Sequence, residues 1–346
     1  MNLASAIFDE RWASWAASTV AQRYPVQPDA VDDLRAAVND DLPAIDAAAR
    51  RFTDLGEGLA PASVTVVGRM GWVRTNLAAI SGVLEPLRAR LEHRPAARQL
   101  LGIQLGAVFG LMSSKVLGQF VLPLSSAGSG GSAGQGELVV VGPNVLQLAE
   151  HSPDIAVDIR RAVLLHETTH RLQFASAPWL GDYLRELVAE YLSHARIDPD
   201  AVRRVTSDAP RIVAEIRKTG TVKPLIDAVL TEEQAEIIDQ AQALMTLLEG
   251  HGNTVMFDAG EGLIGDGEHI RAVLANRRRD VTSRVLSSVF GMDAKRRQYQ
   301  DGEVFVRGVL EHSGTAALNL AFRSKADLPQ SQELDDPSAW LQRVVP

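Results

Sequence analysis

The chain has 346 residues, 46% of them hydrophobic, which is enough to bury a substantial core. Its formal net charge of −8 argues against nucleic acid or an anionic membrane surface as a partner, because neutralising phosphates needs clustered Lys and Arg. It has no cysteine, which excludes disulfides, thiolate ligands and a thiol nucleophile; any zinc must be held by His or carboxylate.

From the N-terminus, Asp9, Glu10 and Arg11 interrupt the stretch where a signal peptide would need unbroken apolar residues. The longest apolar run, 100–112, is broken by Gln104 and is too short to span a membrane. A cytoplasmic protein is expected. Ala-rich amphipathic patterning predicts helices over about 4–22, 28–55, 69–92 and 96–119. Gly102, Gly106 and Gly110 recur every fourth residue, so they share one helix face and predict close packing of another backbone. Two short β-prone runs, 120–122 and 138–141, flank a Gly/Ser-rich segment at 125–136. The pattern predicts a β-hairpin with a flexible loop, and a flap over a site is the alternative role for that loop. Gly142-Pro143-Asn144 is expected to end the second strand.

Ser152-Pro153 suits a helix start, and the helix should run to about Phe174, with Pro178 just beyond. Further helices are predicted at about 180–196, 199–218, 222–229, 231–258, 267–275, 279–288 and 302–313. Thr231-Glu232-Glu233-Gln234 supplies a capping box for the long one. Basic runs at 277–279 and 295–297 have acidic neighbours and read as solvated faces. The Pro- and acid-rich stretch 328–339 is expected on the surface. The fold class is mainly α with a small β-hairpin, read as one domain over 1–346.

The chemistry sits in His166-Glu167-Thr168-Thr169-His170. Residues four apart lie on one helix face, so the two imidazoles can converge on one ion from successive turns. Glu167 can reach a water on that ion without ligating it, and zinc lowers the pKa of such a water towards 7. A third ligand is needed, and Glu190 and Glu249 compete for the role. Glu190 shares the polar face of its helix with Glu186 and Ser193, so solvation explains it. Glu249 falls on a stripe with Ile238, Ala241, Met245, Leu248 and Met256, where a carboxylate needs a charge partner or a metal. The stripe favours Glu249. Gly250 and Gly252 weaken their helix and suggest that something bulky comes close. Asn253 is a candidate to hydrogen-bond a ligating histidine, or else a solvated or capping residue. His251 points roughly 200° away from Glu249 on an ideal helix, which argues against direct ligation.

The stretch 166–174, followed by Ala177-Pro178-Trp179-Leu180, resembles zincin-like proteins described as coenzyme F420 biosynthesis-associated proteins or zinc-dependent metallopeptidases. Blocks at 247–256, 297–306 and 336–340 are similar to the same family, although Phe257 separates Val-Met from Asp258. The resemblance covers most of the chain after about residue 60. It implies a zincin-like domain with His166 and His170 as zinc ligands and Glu167 as general base. A Glu before Gly on a downstream helix, here Glu249, would be the third ligand. The expected activity is hydrolysis of a peptide or amide bond, with Tyr299 and His251 as candidate oxyanion donors. The run Leu138-Val139-Val140-Val141 is either a substrate-pairing strand or an ordinary buried one. The alternative function is a non-catalytic scaffold that keeps zinc for stability.

Overall fold

The computed structural model describes residues 7–21, 24–122, 136–194, 232–278 and 295–345. The first part holds α1 (Glu10–Val20), α2 (Pro28–Thr53), β1 (Val64–Val67), α3 (Arg69–Val83), a one-turn α4 (Arg88–Leu91) and α5 (Pro95–Met112). Next come β2 (Gly118–Val121), β3 (Glu137–Val141), α6 (Gly142–His151), α7 (Ala156–Ser176) and α8 (Trp179–His194). The last part holds α9 (Glu232–Asp258), α10 (Gly267–Arg278), α11 (Lys295–Leu318) and α12 (Pro337–Val344). The expected helices at 199–218, 222–229 and 279–288 lie outside the described residues, as does nearly all of the Gly/Ser-rich loop.

The small sheet has the order β1-β3-β2. The expected hairpin is present: β2 runs antiparallel to β3, with Gly118 opposite Val140. It gains a third strand, β1, which pairs in parallel with β3 from Val64↔Leu138 to Val67↔Val141. Covered on both sides, β3 is a run of buried Leu and Val, as an interior strand should be. It therefore has no free edge for a substrate; β1 and β2 are the edge strands.

Three local readings are corrected. The helix expected over 96–119 stops at Met112, and β2 starts at Gly118, two residues before the β-prone run. Gly142-Pro143-Asn144 does not merely end β3 but opens α6, because proline in the first turn gives up an N–H that has no helical partner anyway. Ser152-Pro153 opens a single 3-10 turn, Pro153–Ile155, from which α7 continues.

The glycine stripe of α5 does what its spacing suggests. Cβ atoms at Gly102, Gly106 and Gly110 would strike the carbonyl oxygens of Asp9, Ala13 and Ala17, so α1 lies backbone against backbone along α5. The stretch 328–339 lies mostly at the surface, with Pro329, Glu333 and Leu334 as its buried residues, and burial deepens just beyond it at Trp340. Leu334 and Trp340 are buried in a cluster with Phe305, Val306 and Val309 of α11. Trp340 packs edge-on against Phe305 and donates its Nε1–H to the Asp327 carbonyl at 2.9 Å. Glu333 is tied inward by Arg343 at 2.7 Å, whereas Asp335 and Asp336 are exposed.

At the centre runs α7. Leu164, Leu165 and Leu172 join residues of α2, β3, α8 and α9 in the largest core cluster. A helix buried on most sides carries its polar groups at a cost unless they are partnered. That sets the terms for the polar segment in its middle.

Candidate metal centre

Among the described residues, His166 and His170 of α7 and Glu249 of α9 form a group able to hold a metal ion. The two Nε2 atoms lie 3.1 Å apart. Glu249 offers Oε2 at 3.4 Å from His166 Nε2 and Oε1 at 3.8 Å from His170 Nε2. Atoms bound tetrahedrally to one zinc ion at ordinary ligand distances lie roughly 3.3–3.6 Å apart. The observed separations, 3.1, 3.4 and 3.8 Å, bracket that spacing. The imidazole planes stand at 87° to each other, so the rings approach the centre from two directions without stacking.

Backbone details make this possible. A Cβ on Gly252 would lie 2.9 Å from His166 Cε1 and 3.3 Å from His170 Cε1, so both rings rest against α9 where it lacks a side chain. Two residues earlier, on roughly the opposite side of α9, a Cβ on Gly250 would strike the backbone of Gly302 in α11, and one on Gly302 would strike the Thr246 carbonyl. The two glycines flanking His251 thus make room for different neighbours: the imidazoles on one side, a helix backbone on the other.

Glu167 faces the sheet. Its Oε2 accepts the Phe120 N–H of β2 at 2.9 Å. A Cβ on Gly118 would lie 2.8 Å from Glu167 Cγ, so only a glycine lets the strand pass this close. Burial pushes the Glu167 carboxyl up to about 7; the nearby Glu249 adds to this, while His170 and the Phe120 amide oppose it.

The remaining candidates divide. Glu190 is exposed on α8 and is not part of the group. Asn253 is buried, but its Oδ1 has no hydrogen-bond partner and makes no bond to either histidine. Tyr299 lies in α11 where only the backbone is described. His251 is 1% exposed and stands apart from the ligand group. Burial drives its pKa down to about 3, with His170 contributing, so it is neutral at physiological pH.

One residue escaped sequence reasoning: Gln173, fully buried, whose Oε1 lies 2.9 Å from His170 Nδ1. The signal was available. A glutamine three residues after His170, between Leu172 and Phe174, puts an amide on the buried face where the histidine lies.

The residues suit a divalent metal on their own chemistry. Two imidazole nitrogens face each other across a carboxylate at a metal's spacing, and α9 lacks a side chain where the rings need room. A fold in which a central helix bearing His-Glu-x-x-His meets a glutamate from a later helix defines a zincin-like protein. The chain belongs to the zincin-like metallopeptidase family, whose model matches residues 9–341. It is also similar to a crystal structure from Chloroflexus aurantiacus described as a candidate hydrolase with a novel fold. The two are 26% identical with a TM-score of 0.70, and the match covers 97% of this chain and 98% of that one. No curated protein matches the sequence.

Proposed function

We propose that the protein is a zinc-dependent hydrolase of peptide or amide bonds, with His166, His170 and Glu249 as metal ligands and Glu167 as general base. The observation that carries this is the ligand triangle with Glu167 directly beside it. Zinc held there would polarise a scissile carbonyl and acidify a water. Glu167 is suited to take that water's proton: the Phe120 amide holds Oε2 and leaves Oε1 free to accept. A carboxylate beside the metal-held water can take its proton and return it to a leaving amine.

The outer edge of β2 runs past Glu167. Phe120 turns its N–H away from β3, so the alternate residue Gly118 presents its backbone to the same side. An extended peptide laid along that edge would pass its backbone by the base.

Glu167→Gln tests the reading. It is expected to bind one equivalent of zinc with unchanged affinity and to lose about 100- to 10,000-fold in hydrolysis of a cleavable peptide. Equal hydrolysis by both forms would refute the assignment of the base. Zinc binding with no hydrolysis by either form across a peptide library would favour a zinc-stabilised scaffold.

A further inference from the structure

Gln173 makes three contacts with its amide. The Oε1 meets His170 Nδ1 at 2.9 Å; the Nε2 meets the Leu248 carbonyl at 3.1 Å and His251 Nδ1 at 3.2 Å. The donor and acceptor roles follow from one fixed point. A backbone carbonyl can only accept, so the amide nitrogen must face Leu248. The amide oxygen then faces His170, and since it too can only accept, His170 Nδ1 must carry the proton. That leaves the lone pair of His170 on Nε2, the atom that faces His166 and Glu249. The second amide hydrogen goes to His251 Nδ1, which must present a lone pair.

We propose that Gln173, held in one orientation by the Leu248 carbonyl and by His251, is the positioning residue that fixes the tautomer and ring plane of His170 for metal binding. This rests on the reading of His170 as a ligand. It also accounts for the two polar blocks of the sequence together. The block of α9 reaches the site twice, through the Glu249 carboxylate and, from the other side of the helix, through His251 and Gln173. The two histidines are prepared unequally, because His166 Nδ1 is buried without a hydrogen-bond partner. A glutamate in place of Gln173 would turn a carboxylate oxygen towards the Leu248 carbonyl and the His251 lone pair. The site therefore calls for an amide, whereas a ligating histidine elsewhere can equally be oriented by a carboxylate.

The test is made on the full chain with Gln173→Met, which keeps the volume and removes every amide contact. Nitrogen-15 shifts of the His170 ring in metal-free protein report the tautomer, and competition with a chelator reports zinc affinity. In the wild type the proton is expected on Nδ1. In Gln173→Met, His170 should move towards the Nε2–H form that free imidazole side chains prefer, and zinc affinity should fall about 10- to 100-fold. A wild-type proton on Nε2, or a folded Gln173→Met with unchanged tautomer and affinity, overturns the proposal. If Gln173→Met does not fold, the wild-type ring decides: a proton on His170 Nδ1 upholds the proposal and a proton on Nε2 overturns it. A wild type that binds no zinc would sink the hydrolase reading, while the tautomer measurement would still judge this one.

Discussion

Gly252 and His166 are matched surfaces: the α-carbon of one supplies the space that the imidazole edge of the other fills, with a methyl at that point coming 2.9 Å from Cε1. Gly252→Ala should therefore push both rings off their converging geometry while leaving the helix itself intrinsically more favoured, since alanine outranks glycine in helices. Overpacking of this kind costs about 1–3 kcal/mol where the neighbours cannot move. The expected outcome is a zinc affinity at least about tenfold weaker, measured by chelator competition, and a small change in thermal midpoint of the metal-free protein. Unchanged affinity would mean that the rings have slack.

Gly250→Ala should behave in the opposite way. Its added carbon meets the Gly302 backbone, and no side chain there can swing aside. Destabilisation of about 1–3 kcal/mol is expected, visible as a lower denaturation midpoint, with loss of zinc binding only as a consequence.

The buried Glu167 gives the metal-free protein a pH signature. Its carboxyl is raised from 4.5 to about 7 on folding, so the folded state keeps a proton that the unfolded state has lost. The resulting stabilisation is full below about pH 4.5 and disappears as pH rises through 7. Glu167→Gln removes this dependence. The variant should gain up to about 3 kcal/mol over the wild type at pH 8 compared with pH 4.5, measured by chemical unfolding in the presence of chelator. Equal pH slopes would show that Glu167 is well solvated. Bound zinc, with its positive charge, should shift the wild-type transition to lower pH.

His251 acts at the acid end. Its folded pKa is lowered from 6.5 to about 3, so the unfolded state takes up protons first as pH falls. The wild type should lose stability progressively from about pH 6.5 downward. His251→Phe should be less stable at pH 7.5, having given up the bond from Gln173, and should show a shallower acid limb in thermal unfolding. An acid limb identical to the wild type's would place the titrating group elsewhere.

Trp340→Ala should be among the most damaging changes far from the site. The indole is fully buried against Phe305 and bonded to the Asp327 carbonyl. A loss of about 3–5 kcal/mol is expected, read as a drop in unfolding midpoint. A surface residue would give almost none.

The sequence announced the histidine pair because a spacing of four on a helix leaves little freedom. It announced Glu249 through a carboxylate on an apolar stripe, and the glycines beside it through their poor helix propensity. It did not announce β1. Val64–Val67 is as β-prone as 138–141 but has no neighbouring run joined to it by a loop, and its partner β3 lies some seventy positions on. The C-terminal stretch was legible as surface but not for its anchors: Leu334 and, just beyond the stretch, Trp340 are buried among polar and acidic neighbours, and averages over a window hide one large residue. Gln173 was passed over because glutamine is unremarkable in a helix until the atoms around it are known.

The contact between Gly250 and Gly302 holds a further lesson. It has no chemistry of its own, yet it fixes how far α9 stands from α11 and how far it can slide along it. Glu249 rides on that seam as the one member of the triangle not anchored to α7. On the proposed reading of Glu249 as a ligand, affinity for the ion would be partly governed by a joint between two helices, and changes along the far flank of α11 would loosen or tighten the grip without touching any donor atom.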